Sequence, residues 1–197
     1  LMALGALVKA VREMYQHPLM HTYGGEVRNA LTASLATVVD KVADRGSTVC
    51  SWTVGWDKIR NTFARFALQM TWDFAESVVT EDTSGGLPGA IEWLARYIEH
   101  AVQFAAKAPP PAVLRRSATV ATEGAADVIV TDPPYYDAIP YSDLMDFFYV
   151  WLRRTLRNLS PEFDAAFAEP LAPKWNHQAN DGELIDDASR FGGDKLA

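Results

Sequence analysis

Four stretches in which apolar residues recur three and four positions apart constrain this chain more than any other feature. Leu4, Leu7, Val8, Val11, Met14 and Tyr15 form the first, which stops at His17-Pro18. Val27, Ala30, Leu31, Leu35, Val38, Val39 and Val42 follow Gly24-Gly25 as the second, with Gly46 placed as a C-terminal cap. Ile59, Phe63, Phe66, Ala67, Met70 and Phe74 make the third. Ile91, Leu94, Ala95, Ile98, Ala101, Val102 and Ala105 make the fourth, opened by Pro88 after the Ser84–Gly89 break and closed by Pro109-Pro110-Pro111. That spacing lines up side chains on one face of a 3.6-residue helix. The first half of the chain is therefore expected to pack helix on helix.

The character changes after residue 110. Val113 to Val120 is a candidate short strand, and Asp127-Val128-Ile129-Val130-Thr131 reads as a buried strand of a parallel sheet, β-branched and without alternation. A fifth helix is expected from Ser142, the candidate N-cap, with Leu144, Phe147, Phe148, Trp151, Leu152 and Thr155 on one face. Beyond Ser160-Pro161 the chain reads as irregular. From Asn176 it is polar and acidic, with a short helical suggestion at Leu184–Phe191. One strong strand and one weak one do not make a doubly wound sheet, so the expected class is α/β with helices dominating and only part of the sheet present.

Composition narrows the class. The 197 residues carry 25 acidic and 18 basic side chains, net −7, with 49% hydrophobic and 22% charged residues. Those values match folded domains and exclude disordered or fibrous chains. The acidity argues against indiscriminate nucleic-acid binding but leaves a local basic patch open. The single cysteine, Cys50, cannot form an internal disulfide and there is no Cys-x-x-Cys pair, so the expected setting is reducing and cytoplasmic. His17 and His21 are four apart, but Pro18 breaks the helix that would align them, and no metal is expected. No apolar run approaches a membrane span. A start at Leu1 and an end at Lys195-Leu196-Ala197, like a vector-derived scar, lead us to expect an internal segment whose partner is the remainder of a parent polypeptide.

Chemistry concentrates in Asp132-Pro133-Pro134-Tyr135, placed where the expected strand ends and ligands of open α/β sheets bind. The Asp132 carboxylate and the Pro133 carbonyl are acceptors. Two consecutive prolines remove backbone donors and hold φ, so the site offers an exocyclic amine only acceptors, in fixed positions. Hydrogen bonds that pull on both amine protons favour the pyramidal form, whose lone pair can attack a methyl sulfonium. Tyr135 offers a flat face for an extruded base. From Tyr135 to Trp151 seven of 17 positions are aromatic, where the chain average of 11% predicts about two. Phe147, Phe148 and Trp151 belong to a helix core. Tyr136, Asp137 and Tyr141 fall in the loop and are candidate substrate contacts, whereas Asp143 and Asp146 read as solvated or N-terminal helix charges. Arg153, Arg154 and Arg157 are candidate DNA phosphate contacts on the polar face of the helix.

The run Val130 to Asp137, followed by Tyr141-Ser142-Asp143-Leu144 and Asp146 to Leu152, resembles the large adenine-specific DNA methylase family. The similarity extends to Phe63, to Met70-Thr71-Trp72-Asp73-Phe74-Ala75-Glu76 and to Pro173-Lys174, spanning roughly residues 30 to 175. The resemblance implies a partial Rossmann-like methyltransferase fold with a large helical portion, S-adenosylmethionine as methyl donor, DNA as partner, and methylation of the adenine amine in a restriction-modification or related setting. Asp132, Pro133, Pro134 and Tyr135 would then be its catalytic residues. The implied organisation is a helical flanking or inserted region over 1–110, part of the catalytic core over 111–175 and a polar tail over 176–197. Met145 and the stretch after Lys174 depart from the family pattern, and its glycine-rich cofactor loop has no counterpart: Gly24-Gly25 and Gly85-Gly86 lack a strand–turn–helix setting. The chain by itself is therefore expected to bind S-adenosylmethionine weakly or not at all. Methylation of another planar amine (cytosine, RNA or glutamine) and an inactive helical interaction module are the alternatives.

Overall fold

In a computed structural model the described residues are 1–64, 70–113, 127–133, 135, 139–172, 174–176, 178–179 and 181–183. They are mostly helical: α1 (Met2–Gln16), α2 (Gly25–Arg45), α3 (Leu87–Ala105), α4 (Tyr141–Leu156) and α5 (Pro161–Ala166). A two-residue hairpin, β1 (Trp52–Thr53) with β2 (Lys58–Ile59), is the only sheet among the described residues.

Helix α1 ends at the predicted place. His17 precedes proline and adopts φ −68°, ψ 140°, the extended conformation forced by the Pro18 ring. Its imidazole then accepts the Leu19 N–H at 3.3 Å and caps a short 3-10 turn over Pro18–Thr22. Helix α2 is central and packs against α1, α3 and α4. Val38, Val39, Val42 and Ala43 meet Leu4 and Val11 of α1 and Ala90 of α3, while Phe147 and Trp151 of α4 close the same core. A second cluster joins Tyr15, Ala36, Leu156 and Phe163. The aromatic stripe of α4 thus belongs to the core.

Because α2 has neighbours on three sides, it buries a carboxylate. Asp40 is 9% exposed, its Oδ1 accepts no hydrogen bond, and burial pushes its pKa up to about 8. Removal from water penalises the charged form, and nothing compensates here. Gly46 does sit at the C-terminal cap of α2, but with φ −111° it does not use the left-handed conformation.

The third helical stripe is not helical where it is described. Ile59 lies in β2, Phe63 follows in a turn, and Met70 (80% exposed) and Phe74 stand out in solvent; Phe66 and Ala67 lie outside the described residues. The segment's backbone is spent on closing α2 instead. The Thr62 N–H and Oγ1–H both donate to the Asp44 carbonyl, at 2.7 and 2.6 Å, satisfying an orphan carbonyl of the last turn. Ile59 is buried and the Phe63 ring sits 5.4 Å from that of Phe147, so two stripe residues reach the helices by an irregular path.

The expected parallel strand is also corrected. Residues 127–131 pair with no described strand, and Val128, Ile129 and Val130 are 75–89% exposed. A strand is an inter-strand hydrogen-bonded object, and this β-branched run meets no neighbouring edge among the described residues. Val113 is exposed, and the rest of the 113–120 candidate and the 184–191 suggestion lie outside the described residues. The described structure is therefore helix-dominated.

Beyond α4 the expected irregular course is interrupted by one short helix, α5. Ser160 accepts the Phe163 N–H at 3.3 Å and Pro161 takes the first helical turn, so Ser-Pro opens α5 and buries Phe163. No helix among the described residues is long and apolar enough to cross a membrane.

Candidate functional site

Asp132 lies nine residues before the start of α4 in the sequence, and α4 is held at both ends. Ser142 was expected as the N-cap, but Pro140 takes that position and Ser142 lies within the first turn. With no capping side chain of its own, the helix receives one from afar. A carboxylate oxygen of Glu183 accepts the Ser142 N–H at 2.7 Å, and the Ser142 hydroxyl donates to the other oxygen. A carboxylate at a helix N-terminus satisfies orphan N–H groups and opposes the positive end of the macrodipole. Gly182 makes this delivery feasible: at φ +133°, a Cβ there would fall 2.3 Å from the Lys174 carbonyl oxygen, so only glycine fits.

At the far end the Arg12 guanidinium donates to the carbonyls of Arg154, Thr155 and Arg157 at 3.3, 3.1 and 2.8 Å. This cation from α1 meets the negative end of α4.

The early turns of α4 carry a third tie. Lys174 Nζ lies 2.7 Å from Asp146 Oδ2 and 3.0 Å from Asp143 Oδ1, and the other Asp146 oxygen accepts the Ala172 N–H at 2.8 Å. Asp143 lies in the first turn of α4, as a charge at the helix N-terminus should, and both aspartates are in addition ion-paired to Lys174. They latch the returning chain across the helix that follows Asp132. Sequence spacing could not reveal Glu183 or Lys174 as partners, because 41 and 28 residues separate them from Ser142 and Asp146.

The candidate residues themselves stand in the open. Asp132 and Pro133 are exposed, and Tyr135 is 60% exposed with its ring edge-on to Tyr141, centroids 6.4 Å apart. Pro134, Tyr136 and Asp137 lie outside the described residues. Tyr135 and Tyr141 are thus brought together at the start of α4, both of them exposed.

The three arginines are at the other end. Arg153 follows Tyr141 by 12 residues, about 18 Å along the axis at 1.5 Å per residue. Arg153 is half-buried and its Nε donates to the Phe167 carbonyl at 3.2 Å, so that cation is occupied in holding the return from α5. Arg154 lies over the Trp151 ring at 5.7 Å, and Arg154 and Arg157 are exposed. Two of the three remain available for phosphate.

The described glycine pairs do not supply a nucleotide cradle of the strand–turn–helix kind. Gly24-Gly25 opens α2 behind the 3-10 turn, and Gly85-Gly86 opens α3 behind an irregular loop. No family model, curated protein or solved structure matches the chain.

Proposed function

We propose that this chain carries the amine-binding part of a DNA adenine methyltransferase. The observation that supports it is an exposed acceptor, Asp132, three residues before Tyr135, whose exposed ring meets that of Tyr141 at the start of a helix fixed at both ends. On this reading the Asp132 carboxylate accepts one N–H of the adenine N6 amine and the Pro133 carbonyl accepts the other. Tyr135 lies against the base, stacking worth about 1–3 kcal/mol. Drawing both protons toward acceptors turns the amine lone pair out of conjugation and toward a methyl donor. S-adenosylmethionine supplies the methyl group in such enzymes, and its pocket would be built by residues other than those described. The exposed Arg154 and Arg157 would touch the DNA backbone away from the target base. A cytosolic location is part of the same proposal.

The test is N6-methyladenine in the DNA of cells expressing the intact gene, read by mass spectrometry. Asp132→Ala should reduce it at least about 100-fold, in line with losing one oriented polar contact to the reacting group. Circular dichroism should not change, because the residue is exposed and makes no core contact. Methylation at the unaltered level in the variant would overturn the assignment. The second reading, a helical interaction module, has one observation in its favour: Ile91, Trp93, Tyr97, Val102 and Phe104 of α3 are all exposed. It is the reading that gains if the intact gene yields no methylation at all.

A further inference from the structure

A cavity of about 350 Å³ lies between the C-terminal half of α2 and the start of α3, remote in sequence from Asp132. It falls within the 300–1,000 Å³ range of small-ligand sites. Two of its walls are cationic side chains, Lys41 and Arg45, which follow each other at i, i+4 on α2. Neither forms an ion pair with a described residue. The carboxylate they both feel, Asp44, is turned toward the Asn61 side chain and the Phe63 backbone, and one of its oxygens has no hydrogen-bond partner. Burial, followed by repulsion from Arg45, pulls the Lys41 pKa down, so an arriving anion would relieve an existing electrostatic cost.

The facing wall is backbone. Ser84, Gly85 and Gly86 line it, and Gly85 runs directly against Arg45. At φ +93°, Gly85 would place a Cβ 2.9 Å from the Arg45 Cβ, and no larger residue could bring the chain so near. The rim is aromatic. Trp93 lies 3.9 Å under Lys41 Nζ and is stacked on Tyr97, with centroids 6.1 Å apart and planes 12° apart. Trp93 and Tyr97 are 55% and 59% exposed, although the chain had apolar core positions for aromatics elsewhere.

We propose that this cavity takes a backbone phosphate of a single-stranded nucleic acid, with an adjoining base laid on the Trp93–Tyr97 stack. The anion class follows from two cations that share one recess and form no ion pair with a described residue, where the arginine fork suits the oxygens of a phosphate. The strand, rather than a free ion, follows from the aromatic platform beside it, since alternating phosphate grip and base stacking is how unpaired strands are held. A net charge of −7 gives the chain no general attraction for polyanions, so binding must come from local groups such as these. The inference stands on residues that the Asp132 proposal does not use.

The experiment is fluorescence anisotropy of a labelled ten-nucleotide DNA strand with the full chain at low salt and with no methyl donor present. It therefore reads this site whether or not the Asp132 assignment survives. Lys41→Gln and Arg45→Gln should each weaken binding at least about fivefold. Together they should flatten the dependence of log affinity on log salt by about 0.7, the contribution of one phosphate on a single strand. Tyr97→Ala should weaken binding about tenfold with the salt dependence unchanged, because stacking releases no counterions. Lys58→Gln, removing an exposed cation beside Trp56, should have no effect. The proposal is overturned if the cavity variants bind as the unaltered chain does, if Lys58→Gln costs as much as they do, or if inorganic phosphate binds and the strand does not.

Discussion

Replacing Asp40 by Asn should make the fold more stable, and increasingly so as pH rises. Asp40 is buried in the centre of α2 with an oxygen that has no partner, and its pKa is pushed from 3.8 up to about 8. In the unfolded chain the carboxyl ionises near its ordinary value; in the folded chain it holds its proton through neutral pH. Below about pH 4 both states are protonated and the side chain costs nothing. Between about pH 4 and 8 the folded state binds the extra proton, so stability falls as pH rises. Above pH 8 the charged form is buried and the loss levels off. Four units at 1.36 kcal/mol each set a ceiling of roughly 5–6 kcal/mol, a large share of the 5–15 kcal/mol that holds a typical domain. Water entry or local opening lowers the figure, so a difference of a few kcal/mol at pH 8.5 is the expected reading. Asn keeps the shape and cannot ionise. The assay is urea unfolding of both proteins by tryptophan fluorescence at intervals from pH 4 to 9. The raised pKa of Asp44 and the lowered one of Lys41 act in both proteins and cancel in the difference. Stability curves that run parallel across that range would refute the buried, unpaired carboxylate.

Two further outcomes concern the clamps on α4. Arg12→Ala removes the donor shared by three carbonyls at the helix C-terminus and should cost about 1.5–3 kcal/mol in the same unfolding assay; a loss under about 0.5 kcal/mol would show that the contact adds little. Glu183→Gln keeps the size of the side chain but removes the charge at the N-terminus of α4, so it should cost about 0.5–2 kcal/mol. It should also speed proteolysis near residues 174–183, and a digestion pattern identical to that of the unaltered chain would count against the latch.

Much of the helical scaffold was legible because each helix advertises its own face and its own ends. Leu4, Val11 and Tyr15 mark one side of α1, and Pro18 ends that helix through a steric effect reaching one residue back. Phe147 and Trp151 likewise show as core from their spacing alone. Periodicity failed at Ile59–Phe74. Intervals of three and four also arise when a hairpin and a turn bring Ile59 and Phe63 to the same helices. Asp127–Thr131 failed differently: composition can report that a segment suits a sheet, but the neighbouring edge has to come from elsewhere. Ser160-Pro161 is a local start signal for α5, a capping hydroxyl followed by a proline in the first turn.

The candidate site divides along the same line. Its residue types, an acidic acceptor between a β-branched run and tyrosines, are local facts, and the linear order of Asp132, Pro133 and Tyr135 is enough to state the chemistry they suit. What holds that segment in place is not local. Glu183 at one end of α4, Arg12 at the other and Lys174 across its first turns come from positions 28 to 145 residues away. Their partnerships exist only because chain closure and core packing bring distant backbone together. Helix faces and turn breakers are decided by interactions within a few residues, so the sequence alone determined them. Which charge meets which helix end, and which carboxylate is left stranded in the core, depends on what packs against α2 and α4, and only the tertiary structure decided that.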